Sequence, residues 1–391
     1  MGLIEELIYV YKIMSSSTIA YVLLLSLIAS MITSFTISTA YELYNSLTYT
    51  IMPTKKNMLV AYSGSALTPY TGLIPRSIEY NLSLIPGVKK IWAEVLVPVI
   101  VRNKPVILRG VEESILCSMI NESSICINNT LTIPFPAWIG STAASYIGVR
   151  EGDEIVVMPL FTDIPVKLRV NKIVAMELPY NGEIIVPLGL AQKLRGISRG
   201  LVSLIRVEYD PDKVDPDKII LSLGLKTVKE LEKLVPIYVA EKIIIGLTNR
   251  PGNAIIASAS EYSDIYLRRL GLSKDLLLIL SIILIMLLSY IIFILGRTSI
   301  ILHSDKLRII VLLGVKEMKI KLLFMTALLP LEISVFIAGL LLTNIISPAY
   351  SFFVFGYKLI PCVNNLLASI QLLVFTFLFI YGVLSSEIGL K

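Results

Sequence analysis

Residues 303–321 read HSDKLRIIVLLGVKEMKIK, and the interpretation of this stretch decides how the rest of the chain is understood. It joins Lys306, Arg308, Lys316, Lys319 and Lys321 to the apolar run IIVLLGV. A plain loop has no need of that run, and a transmembrane helix does not tolerate those cations. On either side lie segments greasy enough to cross a bilayer. The expected form is therefore a basic amphipathic helix on a membrane face.

Composition agrees. The chain has 391 residues, 55% of them apolar and 16% charged, with a mean hydropathy of +0.77. A soluble domain is usually less apolar and carries about 25% charged residues. The apolar excess concentrates at residues 18–40 and beyond residue 275. Residues 18–40, TIAYVLLLSLIASMITSFTISTA, carry no charge and at ~1.5 Å per residue match a ~30 Å hydrocarbon core. A cleaved signal peptide is the rival, with Ser38-Thr39-Ala40 as its processing site. The apolar region is too long for one, and only Lys12 precedes it among basic residues. Three further spans are expected at 274–297, 321–346 and 366–386. Residues 1–17 place Leu3, Ile4, Leu7, Ile8, Tyr11 and Met14 on one helical face, which describes an interfacial amphipathic helix. A disordered terminus is the alternative.

Charge sets the orientation. Segment 298–320 is rich in Lys and Arg, whereas loop 347–365 carries only Lys358. The first is therefore cytoplasmic and the second outside. An even number of spans puts both termini in the cytosol and residues 41–273 outside. Sequons at Asn81, Asn121 and Asn128 all fall in this insert, as do Cys117 and Cys126, which could close a disulfide there. Two unpaired buried thiols are the alternative. Between residues 41 and 275 there are 26 Lys and Arg against 23 Asp and Glu. The insert is thus close to neutral for its size, the clustered cations flank the membrane, and no nucleic-acid partner is implied.

The expected fold class is a membrane protein of four transmembrane α-helices, with a large α+β extracytoplasmic domain between helices 1 and 2. LVAYSG, EVLVPVIV and PVILRGV read as strands. DEIVVMPL and VKLRVNKIVAMEL read as a hairpin-like pair turning at FTDIP. STAASYIG, PLGLAQKLRG and PDKIILSLG read as helices. Residues 254–272 have helical composition and would form a stiff lever towards the second span. No catalytic constellation is present. The aspartates of DPDKVDPDK lack the glycine and final glutamate of an EF-hand, so a solvated turn is expected rather than a metal site. Absence of C-x-x-C and H-E-x-x-H argues against zinc. No Gly-Lys dipeptide occurs, so there is no Walker A loop and any ATP binds elsewhere.

In the first span Ser26, Ser30, Ser34 and Ser38 recur every fourth residue, a spacing that lets another helix approach closely. Glu332, inside the third span and following Pro330, is an ionisable group in a costly place. Its expected role is structural, protonated or bonded to a first-span serine such as Ser30 or Ser34.

The layout and several phrases resemble the FtsX/MacB family of ABC transporter permeases. In that family the segment after the second span reads like R-E-I-G-(L/I)-L-(R/K)-A-L-G-A. Leu307, Ile309, Ile310, Leu313, Gly314 and Val315 fit it, followed by Lys316, Glu317, Met318, Lys319 and Ile320. IPGVKKIWAEV, LRGVEES, ASYIGVREGDEIVV and IIVPLGLAQKL are similar to the MacB-like periplasmic core. Lys306 departs from an acidic position and Arg308 from a glycine.

The resemblance implies a coupling helix at 298–320. Leu307, Ile310 and Leu313 would bury against the bundle, Gly314 would end the helix, and Lys306, Arg308, Lys316 and Lys319 would meet a cytoplasmic ABC ATPase. A basic helix that only binds anionic headgroups is the alternative. The chain itself would need no cofactor, with ATP and Mg in the partner ATPase. A second permease copy or homologue and membrane lipid complete the expected partners. The implied function is a non-enzymatic permease subunit that passes ATP-driven motion outward and exports or extracts a lipid-linked, peptide or drug-like substrate. An FtsX-like mechanosignalling subunit that regulates an outer hydrolase is the second reading, and a passive anchor the third.

Overall fold

A computed structural model describes residues 16–49, 57–64, 66, 70–120, 133–162, 164–215, 219, 254–258 and 273–387. The expected interfacial helix before residue 16 lies outside them, as does nearly all of PDKIILSLG. The chain divides into a helical unit (Met1–Leu43, Lys274–Ser351 and Ile360–Lys391) and a sheet unit (Tyr44–Ser273 and Phe352–Leu359).

Helix α1 spans Ser16–Tyr49. The sheet unit then builds β1 (Met58–Ser63), β2 (Ile74–Pro75), α2 (Ile78–Ser83), β3 (Val88–Val101) and β4 (Lys104–Val111). Next come α3 (Glu113–Ile120), β5 (Phe135–Gly140), α4 (Ser141–Ile147), β6 (Glu154–Pro159) and β7 (Val166–Val174). It continues with β8 (Ile184–Pro187), α5 (Leu188–Arg195), β9 (Leu201–Val202), β10 (Leu204–Tyr209) and β11 (Ala254–Ser258). The helical unit resumes with α6 (Lys274–Ile301), α7 (Ser304–Leu312) and α8 (Glu317–Ile346). Strands β12 (Phe352–Val354) and β13 (Tyr357–Leu359) return to the sheet unit, and α9 (Asn365–Ser385) belongs to the helical one.

The main sheet has the order β11-β1-β10-β3-β4-β8-β5-β7-β6. Strand β3 is long enough to serve two neighbours on one side. Its first half pairs with β10, and Val99–Val101 pair with Val157–Pro159 of β6. Strands β3, β4, β8, β5, β7 and β6 therefore close on themselves, which removes two edges that would otherwise expose unpaired backbone groups. Alternation fills the interior: Val97, Val99, Val101, Val106, Leu108, Ala137, Ile139, Val157, Leu168 and Val170 share one core.

Residues 254–258 do not begin a helix. They form β11, which pairs antiparallel with β1 (Leu59 opposite Ser258, Ser63 opposite Ala254), and Ile256 is fully buried. The free edge of β1 offers a row of backbone partners, and pairing with it outweighs a weak local preference. Residues 259–272 lie outside the described ones.

Among the described residues four helices are long and apolar enough to cross a membrane: Ile19–Asn45, Asp275–Ile301, Glu317–Tyr350 and Asn365–Ser385. They run past the expected limits, so segment 298–320 is shared among three helices. Helix α6 keeps Thr298–Ile301, α8 takes Glu317 onward, and the short α7 stands between. Several hydroxyls within the spans are satisfied by carbonyls one turn back, as in Thr33 to Ala29, Ser281 to Leu277 and Thr343 to Gly339. Asn364 caps α9 by accepting from the backbone N–H of Leu366 and Leu367.

Contact between α1 and α8 is close at Ser30, whose hydroxyl donates to the Phe336 carbonyl at 3.1 Å. A Cβ added to Gly339 would stand 2.7 Å from the Ser30 oxygen and 2.9 Å from its Cβ. Gly339→Leu is therefore expected to destabilise the helical unit by about 1–3 kcal/mol, read as a lower denaturant midpoint in detergent. Gly189, whose Cβ would meet nothing within 4 Å, is the control: Gly189→Ala should stay within about 0.5 kcal/mol of wild type.

Candidate functional site

Three groups of residues stand out in the structure, and the first is α7. His303 precedes it and is buried, its Nδ1–H donating to the Ser299 carbonyl at 2.8 Å while its ring meets Phe324. The helix stops in a left-handed turn. Gly314 has φ +91°, its N–H donates to the Val311 carbonyl at 2.9 Å, and the Val315 N–H reaches the Ile310 carbonyl at 3.4 Å. This is the paired bonding of a Schellman cap, which glycine accepts without strain.

The cap changes which residues face out. Leu307 is buried, and Ile310, Val311 and Val315 pack partly against the helical core. Leu313, expected on the buried side, is instead 79% exposed, with Leu312 at 72% and Ile309 at 60%. The reason is geometric. Helical periodicity ends at Leu312, so Leu313 no longer follows it, and Val315 takes the inward place after the turn. Lys306, Arg308, Lys316 and Lys319 are exposed around this apolar crest. Lys321 turns inward: its Nζ lies 2.8 Å from Glu317 and 3.2 Å from the Leu384 carbonyl in the last turn of α9.

The second group is the polar seam of the bundle. Ser26 donates to Glu332 Oε1 at 2.7 Å and Ser30 to the Phe336 carbonyl. Both links join residues 306 positions apart, so α1 and α8 run parallel in constant register. Glu332 therefore meets a first-span serine, and it is Ser26 rather than Ser30 or Ser34, because Ser30 stands one turn further along. Ser34 donates to Gln371 Oε1 of α9 at 3.3 Å, and Ser38 is buried.

The third group was not foreseen. Glu94 (β3), Arg109 (β4), Arg206 (β10) and Glu183, just before β8, are fully buried. Alternation along β3 sends Ala93 and Val95 into the main core and Trp92 and Glu94 to the opposite face, among Met58, Trp138, Tyr180 and Ile185. Arg109 grips both oxygens of Glu183, with Nη2–Oε1 at 2.7 Å, and donates through Nη1 to Glu94. Glu94 Oε1 accepts from Arg206 Nε, Trp92 Nε1 and Tyr180 Oη, each at 2.8 Å. The Arg109 guanidinium also lies over the Tyr180 ring at 5.3 Å.

Burial alone would push the Glu94 carboxyl up, but Arg206 and Arg109 overcome it and hold the group at about 2. Burial raises Glu183 above the ordinary carboxylate range, against the pull of Arg109 and of Tyr357. Tyr357 brings in the hairpin β12–β13: its hydroxyl donates to Glu183 Oε1. Two carboxyl groups and two guanidiniums thus share one buried space and tie four strand regions and a hairpin together. The legible sign was a lone charge inside each apolar strand phrase: AEVLV, VILRGV, GEIIV and LIRV.

The remaining predicted positions are simply placed. Asn81 is exposed on α2, Cys117 is disulfide-bonded, and Cys362 is a free exposed thiol. Asn121, Asn128 and Cys126 lie outside the described residues. Asp210 pairs with Lys89 at 3.4 Å and Lys213 at 3.9 Å. Among the described residues no group of His, Cys, Asp or Glu could hold a metal ion.

No protein-family model and no curated protein sequence matches the chain. Among solved structures it is similar to the periplasmic region of MacB from Actinobacillus actinomycetemcomitans. There the identity is 13% and the TM-score 0.31, over 54% of this chain and 92% of that one. It is also similar to the extracellular domain of the noncanonic ABC-type transporter YknZ from Gram-positive bacteria, at 14% identity and a TM-score of 0.26, over 42% of this chain and 88% of that one.

Removing one member of the buried network leaves its partner charged in a buried site. Arg109→Met should cost the sheet unit about 3–5 kcal/mol in chemical unfolding. Acid gives a second signature. The Glu94 carboxyl titrates at about 2 in the fold against 4.5 for the unconstrained group. Its stabilising contribution is thus whole above pH 4.5 and drains as pH falls through about 2. The stability gap between wild type and Glu94→Gln should be flat above that range and shrink below it. A gap that widens in acid would contradict the assignment.

Proposed function

We propose that this chain is the membrane permease subunit of an ABC-type complex. In this reading it carries motion from a separate cytoplasmic ATPase, which binds ATP and Mg, to an outer sheet unit that acts on an exported or extracted substrate. The observation that carries the proposal is the α7 crest. Ile309, Leu312 and Leu313 are exposed apolar residues ringed by Lys306, Arg308, Lys316 and Lys319, on a short capped helix between two helices long enough to span a bilayer. Such a surface, rigidly seated through Leu307, suits insertion into a cleft on another protein with acidic rims. A helix that served only to lie on headgroups would bury its apolar residues on one side and show cations on the other. Here apolar and basic residues share the exposed side.

The parallel course of α1 and α8 also supports the layout. First and third spans of an alternating series must cross in the same direction, and the constant offset of the Ser26 and Ser30 links gives them that direction. With the basic α7 held on the cytosolic side, the sheet unit and Cys362 fall on the outer side.

Native purification tests the partner. The wild type should bring down a nucleotide-hydrolysing subunit, and both Leu313→Asp and the Lys306→Glu/Arg308→Glu/Lys316→Glu triple variant should lose it about tenfold or more, since a central apolar anchor or several rim charges are worth at least 1.4 kcal/mol. Variants that pull down the ATPase as well as wild type would sink the docking role. Sidedness has its own probe. A membrane-impermeant maleimide should label Cys362 on intact cells, and should label a Leu313→Cys variant at its new thiol only after permeabilisation. The opposite pattern would overturn the orientation.

A further inference from the structure

The eight residues Phe352–Leu359 stand apart from their neighbours in sequence. Helices α8 and α9 on either side belong to the helical unit, but the hairpin between them belongs to the sheet unit. Its turn is a tight two-residue one, with Phe355 at φ +51° and Gly356 at φ +92°, the mirror-image turn that suits strand twist. Its seat is deep. Tyr357 and Leu359 are buried, and Phe353 stacks on Tyr146 with centroids 4.8 Å apart. Gly356 and Gly182 meet backbone to backbone: a Cβ at Gly356 would lie 2.2 Å from the Gly182 carbonyl oxygen, and one at Gly182 would lie 2.6 Å from the Tyr357 ring. The Tyr357 hydroxyl then ends on Glu183, the carboxyl that Arg109 grips with two nitrogens.

We propose that this hairpin is a force-bearing anchor, plugged into the buried charge network of the sheet unit by Tyr357, through which α8 and α9 act on the strands β4 and β8. The proposal rests on the permease reading for the source of the motion, but the anchor itself does not. The logic is one of stiffness. A floppy loop between two helices transmits nothing, because slack absorbs displacement. A hairpin whose tip is sterically locked by two glycines, and whose tyrosine donates to a charged buried acceptor, has no slack to give. Tyr357 thereby acts as a positioning residue. Its hydroxyl bond to Glu183 fixes which seat the hairpin takes, because among the described residues that buried hydroxyl has no other acceptor. Arg109 passes the load onward, since it bridges Glu183 to Glu94 across the sheet.

Two measurements on the full chain test this. In the first, protease sites are inserted at Ser351 and after Cys362, so that cleavage frees the hairpin at both ends. The excised segment should stay with the wild-type protein through gel filtration and leave a Tyr357→Phe protein about tenfold faster or more. Lys358→Ala, altered at an exposed position of the same strand, should behave as wild type. Equal release from wild type and Tyr357→Phe, or immediate loss from wild type, would overturn the anchor. In the second, amide exchange over β4 and β8 is followed in the complex with its ATPase, with and without ATP. ATP should alter exchange there in wild type, and Tyr357→Phe should lose that response while hydrolysing ATP at the wild-type rate. A response preserved in Tyr357→Phe would overturn transmission through the hairpin. A wild-type complex with no ATP response in either strand would count against transmission and the permease reading together, with the anchor then judged by the excision result alone.

Discussion

Two carboxyl groups and two guanidiniums buried together set the terms for the sheet unit. Each of Glu94, Arg109, Glu183 and Arg206 would be costly in that place alone, because the desolvation penalty of an isolated buried ion runs to several kcal/mol. Together they are neutral in sum, and nearly every acceptor site on Glu94 is used. The penalty is offset only if β3, β4, β8 and β10 stand in one register, since a slip of a single residue would turn a charge into the apolar core on the other face. The network thereby ties the registers of these strands to one another, whereas apolar residues alone would not say so sharply which residues must meet.

The same logic, weaker and more spread out, governs the helical unit. Its helices offer a wide choice of apolar contacts, and lipid competes with every one of them. What singles out one arrangement is a sparse set of polar and small groups. Ser26 with Glu332, Ser30 with the Phe336 carbonyl beside Gly339, and Ser34 with Gln371 bind α1 to α8 and α9. A second close approach joins α6 and α9, where a Cβ at Gly382 would lie 2.3 Å from the Phe293 carbonyl oxygen. Register here is set where backbones come nearest, and the long apolar side chains fill the space that remains.

Seen together, the α7 crest and the β12–β13 hairpin are the two places where a short, rigidly capped element interrupts the helical series. Each is held by a left-handed turn at a glycine, Gly314 in one and Gly356 in the other. Each also sets a small number of side chains in a fixed direction: Ile309, Leu312 and Leu313 outward in the first, Tyr357 inward in the second. In both, the capped turn leaves the chain one backbone course and one direction for the side chains it carries.

The sequence by itself determined the apolar helices, most strands, the cap at Gly314 and the basic character of segment 303–321. These are local properties: hydropathy over some twenty residues, alternation over six, and the left-handed tolerance of glycine all read along the chain. It also announced its misfits, since a lone Glu or Arg inside an apolar strand and a carboxyl in a span are visible without coordinates. Only the tertiary structure decided what those misfits were for. Whether Glu332 meets Ser26 or Ser30 depends on an axial offset between two helices some three hundred residues apart in sequence. Leu313 faces outward because the helix ends one residue before it, and residues 254–258 became a strand because β1 had an unpaired edge. Tyr357 reached Glu183 because the hairpin between α8 and α9 belongs to the sheet unit, where it packs without joining the main sheet. Pairing energies of this kind arise between distant segments, and no window along the chain contains both partners.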